Sequence, residues 1–140
     1  MKITKAVKSD AKELFDLENK VFKNDCMAIG LSGFYYHINT NFIYKVVIDE
    51  KIVAYILWLE RKDFFRLYSL AVLVQYRALG IASKLLEYSL ENLESKNMQL
   101  EVRKSNKKAI KLYEKFGFKI YKNLEAYYGD EDGVMMRLER

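Results

Sequence analysis

The chain has 140 residues, 51% of them hydrophobic and 31% charged, with a formal net charge of +5. That length suits one domain with one core, and the mix of apolar and charged residues excludes a disordered chain. No apolar run approaches the roughly 20 residues of a membrane span. The first residues lack the apolar stretch of a secretory signal, and a single cysteine, Cys26, excludes an internal disulfide or a multi-cysteine metal site.

Residues 1–6 read as a short strand. Ser9 stands where an N-cap would precede a helix with the apolar stripe Ala11, Leu14, Phe15, Leu17 and Val21. Residues 24–41 read as a loop plus a short helix. Residues 42–48 and 52–59 are rich in β-branched and aromatic residues. Asp49, Glu50 and Lys51 separate these two runs, which predicts a hairpin. Residues 64–73 read as a further strand. The period then changes. Ile81, Leu85, Leu86, Ser89, Leu90 and Leu93 follow helical spacing, which predicts a helix over 80–96. Residues 98–102 return to strand. Ala109, Ile110, Leu112, Tyr113 and Phe116 predict another helix, and Gly117 sits where it would stop. Residues 118–121 and 134–138 read as closing strands. This order predicts a single domain over residues 1–140, an α/β arrangement of one mixed sheet covered by helices.

Charge is uneven along the chain. Residues 101–122 hold eight basic and two acidic side chains, whereas residues 123–140 hold two and five. Such patterns are often solvated faces, and they select no partner alone. Most of the tyrosines sit at core-like spacing, so no nucleic-acid partner is expected. His37, the only histidine, has no second ligand nearby and predicts no metal site.

The most informative stretch runs from Leu70, Ala71 and Val72 to Arg77, Ala78, Leu79, Gly80, Ile81 and Ala82. A strand there feeds a helix through a short loop. A helix N-terminus offers unpaired N–H groups and a positive dipole end, which suits a pyrophosphate. Gly80 and Ala82 would let phosphate oxygens approach the backbone. Taken alone, a glycine at a strand–helix junction is more often a plain turn. Glu101 lies in an apolar strand, where a carboxylate is either ion-paired or tuned as a base. Asn106 reads as a helix cap, and Tyr113 as an amphipathic core residue.

Arg77-x-x-Gly80-x-Ala82, preceded by Leu70-Ala71-Val72 and followed by Leu85-Leu86, resembles the acetyl-CoA motif of GNAT N-acetyltransferases. Leu100 to Asn106, with Tyr113 and Phe116-Gly117-Phe118, resembles the second CoA-contacting motif of that family. Tyr127-Tyr128, a short loop and Glu131-Asp132-Gly133-Val134-Met135-Met136 resemble the RimI-type ending. Three positions depart from the family pattern. Val74 stands where many members have Pro, Ala78 where many have Gly, and Gly133 where Ala is usual.

The resemblance implies a GNAT fold, with a mixed, mainly antiparallel central sheet flanked by helices. It implies that residues 77–82 hold the CoA pyrophosphate, that Leu70, Ala71 and Val72 face the acetyl-pantetheine arm, and that Asn106 contacts the same arm. Glu101 is then the proton acceptor and Tyr113 the general acid toward the departing sulfur. Acetyl-CoA is the co-substrate, and no metal is needed. The implied acceptor is a protein N-terminus, in the RimI branch the N-terminal alanine of a ribosomal protein, which places the enzyme in the cytoplasm with no membrane partner. A small amine (a polyamine, amino sugar or amino acid) or a lysine remains an alternative acceptor. A non-catalytic acyl-CoA-binding module is the alternative of another class. Chemistry favours the first. Freeing an α-amine of its proton at neutral pH takes roughly 1–1.4 kcal/mol, against roughly 4.6 for lysine. The acidic segment of Glu125, Asp130, Glu131 and Asp132 is expected to attract basic acceptor residues.

Overall fold

A computed structural model describes residues 1–23, 25 and 27–140. The expectations for Asn24 and Cys26 lie outside the described residues. In chain order the elements are β1 (Lys2–Lys5), a 3-10 turn (Lys8–Asp10), α1 (Ala11–Val21), α2 (Leu31–Thr40), β2 (Phe42–Ile48), β3 (Lys51–Glu60) and β4 (Phe64–Val72). A second 3-10 turn (Val74–Tyr76) leads to α3 (Ile81–Asn92), β5 (Asn97–Arg103), α4 (Lys107–Lys115), β6 (Lys119–Leu124) and β7 (Gly133–Leu138). The strands hydrogen-bond in the order β1-β2-β3-β4-β5-β7-β6. Pairing is antiparallel for β1 with β2, β2 with β3, β5 with β7 and β6 with β7, and parallel for β4 with β5. The predicted mixed, mainly antiparallel sheet flanked by helices therefore forms. By its internal contacts the chain divides into two compact units. One is Met1–Leu59 with Tyr68–Asn92, and the other is Glu60–Leu67 with Leu93–Arg140.

In the first unit, Ile52 through Leu59 of β3 are all buried. A strand covered on one face only would alternate, so both faces of β3 are covered. Polar anchors mark the two sides. The Tyr55 hydroxyl donates to Glu18 on α1, and Trp58 Nε1–H donates to Ser89 Oγ on α3 at 2.8 Å. Trp58 and Tyr55 thus belong to the core. The hairpin turn is tighter than its three polar residues suggested. Asp49 and Glu50 both take positive φ, 51° and 62°, as a two-residue turn matched to strand twist requires, and Lys51 already belongs to β3. Ser9 is not the helix cap. It lies inside the first 3-10 turn, and the next residue reaches back instead, with Asp10 Oδ2 accepting the Val7 N–H at 2.8 Å. Helix α3 stops at Asn92, short of the predicted residue 96. There the Asn92 amide donates to the Tyr88 carbonyl at 2.8 Å and takes over an acceptor of the last turn.

Glu18 is the unexpected member of the α1 stripe. It follows Leu14 by four positions, so it shares the inward face and is only 2% exposed. Its Oε2 accepts the Ile29 N–H at 2.8 Å, its Oε1 accepts the Tyr55 O–H, and the Tyr55 hydroxyl lies 2.9 Å from Ser69 Oγ. The group therefore joins α1, the chain before α2, β3 and β4. Burial pushes its carboxyl above the ordinary range, against the two hydrogen bonds that favour the ionised form.

In the second unit, β5 alternates. Met98, Leu100 and Val102 are buried, while Asn97, Gln99, Glu101 and Arg103 point the other way. Helix α4 ends as its sequence predicts. Gly117 takes φ 97°, its N–H bonds the Glu114 carbonyl, and the Phe118 N–H reaches back to Tyr113, a Schellman closure. β6 is the edge strand and is largely exposed, with Lys119 and Lys122 along it.

The folded Glu18 carboxyl binds its proton more tightly than in the unfolded chain. Its contribution to stability is therefore greatest below its ordinary value of 4.5, and declines as pH rises through the raised folded value. Glu18→Gln should flatten this decline, because an amide cannot ionise. Glu18→Ala should lower stability by about 2–4 kcal/mol, since the Ile29 N–H and Tyr55 O–H lose their acceptor. Urea unfolding of the three proteins between about pH 4 and 8 checks both outcomes.

Candidate active site

The residues expected to form one site fall in two groups, one in each unit. Leu70, Ala71, Val72 and the loop from Arg77 to Ala82 belong to the first, and Glu101, Asn106 and Tyr113 to the second.

In the first unit β4 ends at Val72, with Ala71 buried and Leu70 and Val72 half-buried. The Leu73 N–H still bonds the Val53 carbonyl at 2.9 Å, so the chain leaves the sheet only beyond that point. Arg77 turns back and donates from Nε to the Val72 carbonyl at 3.1 Å, pinning the loop to the strand end. Ala78 takes φ 67° and Gly80 takes φ 75°. The Lys84 N–H bonds the Gly80 carbonyl at 3.0 Å, which opens the α3 ladder. The N–H groups of Ile81 and Ala82 therefore lie in the first turn, where no intrahelical acceptor exists. The Ile81 side chain is buried and anchors this end, while Leu79 is exposed. A Cβ at Gly80 would meet nothing within 4 Å, so the glycine is required by its backbone angle and not by crowding. A donor-rich helix start with open space beside it fits the pyrophosphate that the motif implied.

In the second unit Glu101 is ion-paired. Arg66 on β4 places Nε at 2.7 Å and Nη2 at 2.6 Å from the same oxygen, Oε1. The other oxygen, Oε2, has Gln99 Nε2 at 3.4 Å. Arg66 Nη2 also lies 3.4 Å from the Tyr127 hydroxyl. Tyr113 is buried, edge-on to Phe118 at 5.9 Å, and burial pushes its hydroxyl up to about 12. Tyr128 is their shared neighbour, interacting electrostatically with both Glu101 and Tyr113. Asn106 acts as the α4 cap, its Oδ1 accepting the Ala109 N–H at 3.1 Å.

Two residues carry more of this arrangement than the sequence showed. Arg66 looked like any charged residue in a strand run, and only the parallel pairing of β4 with β5, which sets Arg66 beside Gln99, brings it to Glu101. Gly133 has a steric reason to depart from the usual alanine. A Cβ there would lie 2.8 Å from Tyr128 Cε2. The Tyr128 ring has little freedom to yield, with Arg103 stacked at 4.6 Å and Tyr127 edge-on at 4.9 Å.

The acidic segment is engaged within its own loop. Arg103 bonds both Asp130 at 2.8 Å and Glu131 at 3.1 Å, and these bonds hold the two carboxyls below the ordinary range. Asp132 accepts the Ala126 N–H at 2.8 Å and the Asn123 amide at 3.1 Å. Three of its carboxylates thus build the loop between β6 and β7. His37 bonds Asn41 at 3.0 Å and lies near the rings of Tyr36 and Tyr68. Among the described residues no group of three or more His, Cys, Asp or Glu side chains is arranged to hold a metal. Among the same residues no helix is long and apolar enough to cross a membrane.

Residues 9–118 match the model of the acetyltransferase (GNAT) family. An N-alpha-acetyltransferase of Saccharolobus solfataricus is 38% identical over 112 residues, 66% of each chain. An uncharacterised N-acetyltransferase of Methanocaldococcus jannaschii is 33% identical over 97% of this chain and 90% of its own. The crystal structure of the ribosomal-protein-S18-alanine N-acetyltransferase from Escherichia coli superposes with a TM-score of 0.86 at 26% identity, over 98% of this chain and 92% of that one. Across three archaeal N-alpha-acetyltransferases the matched stretch spans 44% to 66% of the relative's length.

Backbone strain at Ala78 and crowding at Gly133 make opposite predictions. Ala78→Gly should raise stability by about 0.5–1 kcal/mol, the relief of a Cβ at positive φ less the added freedom of the unfolded chain. Gly133→Ala should lower it by about 1–3 kcal/mol, because the Tyr128 ring must shift. Thermal unfolding of both variants beside the parent reads the two signs directly.

Proposed function

The chain belongs to the GNAT acetyltransferase family, and from that premise we propose that it transfers acetyl from acetyl-CoA to the α-amine of a protein N-terminus. The observation that carries this reading is Glu101, a nearly buried carboxylate with one oxygen held by Arg66 and the other left to a 3.4 Å contact. A module that only bound acyl-CoA would need no such group. The likeness to the Escherichia coli enzyme and to the archaeal N-alpha-acetyltransferases supports an N-terminal acceptor, and a ribosomal protein is its finer form. That acceptor implies a cytoplasmic reaction.

In this proposal residues 77–82 hold the pyrophosphate through backbone N–H groups at the start of α3. Leu70, Ala71 and Val72 present the strand end to the acetyl-pantetheine arm, with an N–H near Leu70 polarising the thioester carbonyl. Asn106 contacts the same arm while capping α4. The amine nitrogen attacks the thioester carbon, an N–C bond forms, and the C–S bond breaks with its electron pair leaving on sulfur. Glu101 takes the proton lost by nitrogen, directly or through water. Tyr113, held protonated near 12, lies well above the roughly 8.5 of a thiol. It therefore stabilises the developing thiolate as a hydrogen-bond donor, and solvent completes the protonation.

Mass spectrometry of an alanine-starting peptide and a panel of small amines, each incubated with acetyl-CoA, tests the acceptor. The peptide should be acetylated faster, and labelling of the small amines alone would overturn the N-terminal reading. Glu101→Gln should lower peptide turnover about 100-fold, most at low pH where free amine is scarce. Tyr113→Phe should lower it about 10-fold with acetyl-CoA affinity unchanged. Parental turnover in both would assign these residues to structure alone. Gly80→Val should bind acetyl-CoA more weakly and lose some stability to strain at its positive φ, and calorimetric titration of the folded fraction measures the affinity.

A further inference from the structure

We propose that Arg66 is a positioning residue that selects which oxygen of Glu101 takes the proton and tilts the site toward amines that arrive uncharged. The proposal rests on the transferase reading above. Arg66 stands on β4 in register with Gln99 of β5, two positions before Glu101 on the same strand face. Its fork closes on one oxygen only, Nε at 2.7 Å and Nη2 at 2.6 Å from Oε1. Oε1 is thereby committed. Oε2 keeps only the long 3.4 Å contact from Gln99 and is the oxygen left to accept a proton. The same guanidinium lies 3.4 Å from the Tyr127 hydroxyl, so one side chain orders both the carboxylate and the first tyrosine of the following loop.

The charge balance follows from the neighbours. Across β7, Met135 stands opposite Glu101, and Arg137 stands opposite Gln99 with its guanidinium stacked 4.0 Å over Tyr121. Arg103, on the same strand, is committed to Asp130 and Glu131. From the loop after β6, the Tyr127 hydroxyl lies 3.4 Å from Arg66, and Tyr128 interacts electrostatically with both Glu101 and Arg66. Arg66 is therefore the cation bonded to this carboxylate among the described residues, and the pair is neutral as a unit. The arginine is also its more open half, 31% exposed against 10% for Glu101. An arriving ammonium meets a guanidinium before it meets a carboxylate that is already matched. An α-amine, with a reference pKa near 7.7–8.0, supplies free base at neutral pH, whereas a lysine or polyamine near 10.4 stays charged and is disfavoured.

The test compares the parent, Arg66→Lys, Arg66→Met, Glu101→Gln and the Arg66→Met/Glu101→Gln double variant on an alanine-starting peptide and on spermidine. Arg66→Met should lower kcat for the peptide about tenfold with KM for acetyl-CoA unchanged. It should also narrow the peptide-over-spermidine ratio of kcat/KM about tenfold. Arg66→Lys keeps the charge without the fork. It should retain the ratio and recover part of kcat, which a misfolded variant would not do. The double variant should be no slower than Glu101→Gln, because Arg66 acts through Glu101. Parental kcat and ratio in Arg66→Met, or independent losses that multiply in the double variant, would overturn the proposal. So would a parent enzyme that prefers spermidine. A parent that acetylates neither acceptor would overturn the transferase reading, Glu101→Gln at full speed would overturn the role of Glu101 as base, and this proposal falls with either. Either result appears with Arg66 intact, so the two failures are distinguishable.

Discussion

A carboxylate taken out of water must have its oxygens matched, or it will protonate or unfold what surrounds it. Each unit is organised around one such group, and each meets the demand differently. Glu18 is matched by neutral donors, a backbone N–H and a phenol, so burial dominates and its proton is held more tightly. Glu101 is matched by a guanidinium on one oxygen, and the other keeps a 3.4 Å contact from Gln99. The first arrangement makes a structural tie among α1, β3 and β4. The second is the arrangement to which the proposed reaction assigns the base. The difference lies in the partner and the face, since Glu18 lies on the apolar stripe of α1 and Glu101 on the polar face of β5.

The loop between β4 and α3 depends on a backbone constraint instead. Two residues at positive φ, Ala78 and Gly80, turn the chain so that a helix begins directly after the strand, with its first N–H groups free of intrahelical acceptors. Arg77, bonded back to Val72, keeps that turn tight. The same logic of matched donors and acceptors recurs in the loop from Glu125 to Asp132. Its carboxylates answer Arg103, Ser105, Asn123 and the Ala126 N–H, and so order the segment carrying Tyr127 and Tyr128. Gly133 belongs to this economy of space, since the ring of Tyr128 occupies the volume that an alanine methyl would need.

Much of the molecule was legible in the sequence. The β-branched and aromatic richness of residues 42–48 and 52–59, the helical spacing over 81–93 and 109–116, and Gly117 set the elements and their order, because side-chain shape and spacing report locally which backbone a segment prefers. The stretches from Leu70 to Ala82, from Leu100 to Phe118 and from Tyr127 to Met136 carried a resemblance to the acetyltransferase family that the family match bears out. Tertiary structure decided what those residues touch. Ser9 lost the cap to Asp10 because the chain enters α1 through a 3-10 turn, and Glu18 turned inward because Tyr55 and Ile29 were there to receive it. In the acidic segment Asp130 and Glu131 both pair with Arg103, twenty-seven and twenty-eight positions away. Arg66 gained its meaning only from β4 lying parallel to β5. Thirty-five positions separate it from Glu101, and no local pattern spans that distance, whereas a parallel register closes it to a hydrogen bond.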